Sequence, residues 1–249
     1  MIHNNKEVLK YWNNKNVESM YDKFLVDAEI KLIKSNIPRC SKILDAGCGE
    51  GEGTLEYARI EGCTVEAVDF SETRLRKAKL ILKDYKNVSL RKIDFLADYN
   101  LDSDFDIIIS KRFLINLMEW KLQKKVIVDL VNHLKPGGMF LMLEGYKEGV
   151  DELNKFRNKF NLPDIPVKWH NLFLQDAKIN EIISEKCLKL VNEFGLGDYF
   201  LLTRGIRPYF DKKLDWDVEF NKFAKDVGLQ NVLGFNTRFS RLKLWVLSK

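Results

Sequence analysis

Ile43-Leu44-Asp45-Ala46-Gly47-Cys48-Gly49-Glu50-Gly51-Glu52-Gly53-Thr54 is the stretch on which the fold turns. An apolar run enters a glycine-rich turn and helix-forming residues follow, an arrangement that lets a ligand come close to backbone amides. A dinucleotide fingerprint, G-x-G-x-x-G, needs a third glycine. Counted from Gly47 that position is Glu52, and counted from Gly49 it is Thr54, so the fingerprint fails in both registers. Asp45, Glu50 and Glu52 crowd the turn, and carboxylates repel a pyrophosphate. The turn suits a ligand without phosphate that carries positive charge.

Outward from the turn, strand-like and helix-like segments alternate. Strands are expected at 41–46, 64–68, 88–92, 105–110 and 139–144, the fourth a continuous apolar run of the kind buried on both faces of a parallel sheet. Helices are expected at 54–60, at 72–82 after a Ser71 cap, and at 121–134 before Pro136 and Gly137. This predicts a doubly wound α/β fold with a mostly parallel seven-stranded sheet, closed by late strands at 188–194 and 242–247. The first 36 residues show helical spacing through Val8, Leu9, Tyr11, Trp12, Met20, Phe24 and Leu25, broken by Pro38. Further helices are expected at 151–160, 176–185 and 217–227, with 162–173 as loop. The chain reads as a single domain over 1–249: an N-terminal helical cap (1–36), a cofactor-binding core (37–146), an inserted lid (147–176), and the rest of the sheet with an insertion (177–249).

Asp45-Ala46-Gly47-Cys48-Gly49-Glu50-Gly51 resembles the first motif of class I S-adenosylmethionine-dependent methyltransferases. The resemblance extends over about residues 40 to 145. It implies that Asp45, Gly47, Cys48, Gly49 and Gly51 cradle the methionine part of the cofactor. It also implies that Asp69, followed by Phe70, accepts the ribose hydroxyls, and that Asp94 and Phe95 contact the adenine. Phe105 to Ser110 and Leu134 to Gly138 match later motifs, adding Ser110 to the cofactor set. S-adenosylmethionine, leaving as S-adenosylhomocysteine, carries the ammonium and sulfonium that an acidic turn favours.

The acceptor is expected beyond the carboxyl ends of the strands. Lys111 and Arg112 follow the fourth strand and are either solvated charge or anchors for an anion. Glu144, ending the fifth strand, is a candidate base or a partner of Arg112. Arg204 and Arg207, near Tyr199 and Tyr209, have the fork geometry that suits phosphate or carboxylate. Tyr11, Trp12 and Tyr21 are either core or a roof over the cofactor. The segment Leu162 to Leu172, with Leu114-Ile115-Asn116-Leu117 and Phe239 to Trp245, resembles methyltransferases of bacterial surface-polysaccharide gene clusters. That resemblance implies a small sugar- or phosphate-bearing acceptor, His170 as general base, and Asn116, Trp169 and Asn171 beside the acceptor.

Composition bounds the alternatives. The chain is 45% hydrophobic and 31% charged, with net charge +5, four cysteines and three histidines. The cysteines lack metal-ligand spacing and His3, His133 and His170 lie far apart, so no metal site is expected. No apolar run approaches the ~20 residues of a membrane span and no signal-peptide core is visible, which places the protein in the cytoplasm. Arg74, Arg76, Lys77 and Lys79 read as one solvated helix face. An RNA methyltransferase would show a basic face continuous with the methyl site, whereas the charge here is dispersed. A catalytically silent S-adenosylmethionine-binding protein and a nicotinamide oxidoreductase are the other rivals, the latter disfavoured by the failed fingerprint. The sequence leaves the oligomeric state open.

Overall fold

The computed structural model describes residues 5–14, 16–17, 20–211 and 215–249. Seven strands form one sheet: β1 (Lys42–Ala46), β2 (Thr64–Asp69), β3 (Val88–Lys92), β4 (Phe105–Lys111), β5 (Leu134–Gly145), β6 (Lys189–Gly195) and β7 (Leu242–Ser248). They lie in the order β3-β2-β1-β4-β5-β7-β6, parallel through β5, with β7 antiparallel to both of its neighbours. The seven-stranded, mostly parallel, doubly wound sheet expected from the sequence is therefore present.

The alternation of side chains along each strand divides the core in two. Ile43, Val65, Ile107, Ile109, Leu141 and Leu244 face one side, and Leu44, Val68, Ile108, Phe140, Met142 and Trp245 face the other. The first side is covered by α2 (Lys23–Lys34), through Leu25, Ala28, Ile30 and Ile33, and by α3 (Glu52–Ala58), through Tyr57 and Ala58. The second is covered by α5 (Trp120–His133), through Val126, Ile127, Leu130 and Val131, and by α7 (Asp176–Glu185), through Ile179 and Ile182. Among the described residues no helix is long and apolar enough to cross a membrane.

Four further helical elements surround this core: α1 (Asn5–Trp12), α4 (Glu72–Ile81), α6 (Lys147–Asn158) and α10 (Glu219–Gln230). The segment 197–210 is helical where only an insertion was expected: α8 (Gly197–Phe200) runs through a π-helical stretch, Leu201–Ile206, into α9 (Arg207–Phe210). Its buried face holds Leu201, Thr203 and Arg204 as well as Phe200, a mixture that blurs the apolar period. Ala46 stands in register with Val68 on one side and Ser110 on the other. The carboxyl ends of β1, β2 and β4 therefore open together onto one edge of the sheet.

Candidate active site

The glycine turn leaves β1 at that edge. Asp45 is buried and accepts a hydrogen bond from the Thr54 hydroxyl at 2.6 Å; burial, partly opposed by that bond, pushes its carboxyl up to about 6. At Gly49, with φ of +58°, a Cβ would meet nothing within 4 Å, so the backbone there stands open to a ligand. Gly51 serves a different purpose. A Cβ there would sit 3.1 Å from both Ala78 and Leu82, so this glycine lets the turn pack on α4, and it does not border the cavity described next. Asp69, at the end of β2, braces the turn: Oδ2 accepts from the Gly49 amide at 2.9 Å and Oδ1 from the Ser71 amide at 2.8 Å. Burial raises its carboxyl above the ordinary range.

Two cavities of about 610 and 220 Å³ meet here, sharing Gly47, Asp69, Phe70, Phe113 and Asn116. The larger is also lined by Asp45, Cys48, Gly49, Glu50 and Glu52. Burial raises the Cys48 thiol and keeps it neutral. The smaller holds Asp94 and Phe95, and α1 closes it with Lys6, Val8 and Leu9. The Phe95 and Phe113 rings stand 5.3 Å apart. Thus the residues expected to hold the methionine, ribose and adenine parts of a nucleoside cofactor border one continuous space, Gly51 and Ser110 excepted.

Ser110 and Glu144 face inward instead. The Ser110 hydroxyl donates to Glu144 Oε1 at 2.9 Å, as do the amides of Phe113 and Leu114 at 3.1 and 3.0 Å, and the Ile115 amide donates to Oε2 at 3.3 Å. Glu144 is fully buried and burial pushes its carboxyl up to about 7. It borders neither cavity. Its place is that of a tether for the turn after β4, not of a base or an Arg112 partner.

Three expected acceptor contacts also lie elsewhere. Tyr199 is buried and donates to Asp22 Oδ1 and Oδ2 at 2.8 and 2.7 Å. Arg207 is spent on Asp211, at 2.7 Å, and on the Asp215 carbonyl and Asn221. Trp169 packs edge-on against Tyr11 and His170, outside the cavity lining.

The other expected acceptor residues do line the larger cavity: Lys111, Arg112, Asn116, His170, Asn171 and Arg204. Lys111 and Arg112 stand 3.5 and 3.2 Å from the buried carboxylate of Glu29. Asn116 accepts from Trp12 Nε1 at 3.1 Å and from Asn171 at 3.3 Å. The buried His170 ring packs on Tyr11, with centroids 4.4 Å apart, and Trp12, and its Nδ1 has no hydrogen-bond partner. Burial, reinforced by Lys168, holds its pKa down at about 4. Arg204 pairs with Asp22 and lies over the Trp216 ring, 4.2 Å from its centroid.

Sequence reasoning missed Asp22, Arg157, Lys168 and Arg241, all on the same lining. Asp22 and Arg157 have no motif around them; Lys168 and Arg241 lie within the stretches Leu162 to Leu172 and Phe239 to Trp245 but were not singled out there. Arg74 was misplaced: rather than lying on a solvated face it is buried, pairing with Glu50 and donating to the Val17 carbonyl at 2.6 Å. Its position three residues after the Ser71 cap, on the inward face of α4, was the available signal. Among the described residues no group of His, Cys, Asp or Glu is arranged to hold a metal, and His3 lies outside them.

Residues 39–185 match the family model described as Methyltransferase domain. The chain belongs to that family. The methyltransferase is 29% identical over 174 residues to the ubiquinone/menaquinone biosynthesis C-methyltransferase UbiE of Yersinia pestis (strain Pestoides F), covering 68% of this chain and 65% of that one. The match thus spans less than two thirds of that relative's length. A solved S-adenosylmethionine-dependent methyltransferase of Leishmania major superposes with a TM-score of 0.61 at 16% identity, over 98% of this chain and 82% of that one. The N-methyltransferase NodS of Bradyrhizobium japonicum WM9, solved with S-adenosylhomocysteine, gives 0.56 at 17% identity, over 76% and 87%. Identities this low attest the fold. The family is one of methyltransferase domains, and the open Gly49 backbone beside Asp69, in an acid-rich lining, offers the space and charge that S-adenosylmethionine requires.

Proposed function

We propose that this methyltransferase modifies a hydroxyl oxygen of a small sugar- or phosphate-bearing acceptor, of the kind consumed in surface-polysaccharide synthesis. The observation that carries this reading is the division of charge within one cavity. Asp45, Glu50, Glu52 and Asp69 lie at the glycine turn, with Arg74 paired to Glu50, whereas on the rest of the lining Arg112, Arg157, Lys168, Arg204 and Arg241 outnumber Asp22 and Asp164. The acidic part suits a cationic cofactor, and the cationic part suits an acceptor bearing negative charge.

S-adenosylmethionine supplies a methyl group already activated on a sulfonium. The protein's own share is alignment, worth up to ~7–11 kcal/mol when two reactants are held in attacking geometry. In this reading the turn and Asp69 hold the cofactor, Asp94 and Phe95 border its base, and Phe113 stands where the two cavities meet. His170, neutral because of its depressed pKa, accepts the hydroxyl proton; a positioned base is worth ~10²–10⁴-fold. Segments 1–36 and 147–176 fit the roles of cap and lid, since Trp12, Pro163, Pro166, Lys168 and His170 all border the cavity.

The test is a transfer assay with ¹³C-methyl S-adenosylmethionine against nucleotide-linked and phosphorylated sugars. Nuclear magnetic resonance then identifies the methylated atom. An O-methyl sugar product supports the proposal. A methylated carbon, as the name of the Yersinia relative would have it, or transfer only to RNA, would overturn it.

A further inference from the structure

Seven cations among the described residues line the larger cavity, and they divide by what neutralises them. Arg74 pairs with Glu50, Lys111 and Arg112 with Glu29, and Arg204 with Asp22. Arg157, Lys168 and Arg241 form no ion pair with any carboxylate among the described residues. They come from three separate segments: α6, the stretch before His170, and the residue preceding β7. Arg157 donates to the carbonyls of Pro163, at 2.8 Å, and Arg204, with Asp164 close enough to act on it electrostatically without forming an ion pair. Arg241 reaches only the Pro166 carbonyl, at 3.4 Å, and its Nε is buried without a partner.

The fold therefore concentrates excess positive charge in one place, three cations against Asp164. Burial, followed by the nearby Arg204 and Arg157, brings Arg241 down to about 10. Partial burial, then Arg112 and Arg241, lower Lys168, and burial, opposed by Asp164, lowers Arg157. Like charges gathered in excess of their counterions destabilise a fold until an anion arrives. A carboxylate offers one charge and two oxygens, which a single guanidinium fork already satisfies. A terminal phosphate offers nearly two charges and three acceptor oxygens, enough for three donors converging from different segments.

Resting on the reading of this cavity as a methyl-transfer site, we propose that Arg157, Lys168 and Arg241 form a subsite for a terminal phosphate group of the acceptor. Arg204, already neutralised by Asp22, walls the subsite and does not supply its charge.

The test uses the protein saturated with S-adenosylhomocysteine and follows melting temperature and calorimetric binding. Inorganic phosphate, a hexose 1-phosphate and a nucleoside-diphosphate hexose are compared with acetate at matched ionic strength. Inorganic phosphate is expected to stabilise where acetate does not. Tighter binding of the hexose 1-phosphate than of the nucleotide sugar marks a sugar monophosphate as the source; the reverse order, together with no effect of inorganic phosphate, overturns the terminal-phosphate subsite. Arg241→Gln and Lys168→Gln are each expected to weaken phosphate ~10- to 100-fold, the range for a lost charge-assisted hydrogen bond. Lys168 lies at the exposed rim, so its variant tests the site even if Arg241→Gln fails to fold. Phosphate affinity unchanged in Lys168→Gln, or a phosphate effect no larger than that of acetate, overturns the subsite. Phosphate binding with no sugar methylated leaves the subsite standing and removes the function. Methylation of unphosphorylated sugars at full rate in both variants does the opposite.

Discussion

His170 is a titratable group that the fold keeps uncharged. Tyr11, Trp12 and Trp169 surround its ring and Lys168 adds positive charge, so its pKa falls from 6.5 to about 4. Between these values the unfolded chain holds a proton that the folded chain refuses. His170 therefore contributes stability that is fully present above its ordinary pKa and is lost as pH falls toward 4. Asp45 and Glu144, raised to about 6 and 7, contribute with the opposite sign, losing stability as pH rises through those values. Wild type alone will consequently show a flattened pH curve. The difference between wild type and His170→Gln isolates the histidine: in urea unfolding it is expected to grow from pH 4.5 to 7 by on the order of 2–3 kcal/mol. A constant difference would mean that the imidazole titrates normally. The same substitution is expected to lower turnover ~10²-fold with cofactor affinity retained. The wild-type rate should be flat with pH well above the depressed pKa. The resemblance carried by Leu162 to Leu172 made His170 visible in the sequence; the walls that Tyr11 and Trp12 bring to it from α1 did not follow from any local pattern.

At the scale of elements, the turn after β4 shows how one buried carboxylate can substitute for regular structure. Glu144 takes four donors from Ser110, Phe113, Leu114 and Ile115, and so fixes Phe113, which borders both cavities. Glu144→Gln keeps Oε1 and disturbs the Ile115 contact, so a loss of about 1 kcal/mol is expected in denaturant unfolding, with weaker cofactor binding. The pH–rate profile is expected not to move, because Glu144 does not reach the cavity; a shifted profile would restore it as the base. The strands and their glycine turn were legible because they obey local rules: period two, continuous apolar runs in β4, and a turn rich in glycine. The side-chain direction of Glu144 was not legible. It depends on where β4 ends relative to β5, a matter of register between segments more than thirty residues apart.

At the scale of the molecule, Asp22 joins the start of α2 to the helical segment 197–210. It caps α2 through the Leu25 amide and takes both Tyr199, 177 residues away, and Arg204, 182 away. It is 1% exposed. Asp22→Ala would strand a buried guanidinium, and breaking a buried pair in this way costs about 3–5 kcal/mol. A double-mutant cycle with Arg204→Met is expected to return a coupling of at least ~1 kcal/mol in unfolding measurements, since the second change removes the stranded charge. Additive losses would show that the two residues stabilise the fold independently. Contacts of this range explain why the acceptor half was the less readable half: Arg204 finds its carboxylate 182 residues away, and Lys111 and Arg112 find theirs on α2.

The same joint bears on how the protein is made. A chain emerging N-terminus first can pair β1 through β5 early, because consecutive elements supply most of those contacts. Asp22, however, waits for Tyr199 and Arg204, and β5 keeps an open edge until β7 arrives beside it. An incomplete chain thus presents a bare strand edge, the surface most prone to pair with the wrong neighbour. The nascent polypeptide acquires its binding chamber only after Arg241 and β7 have been made, and until then the site's two halves cannot act together.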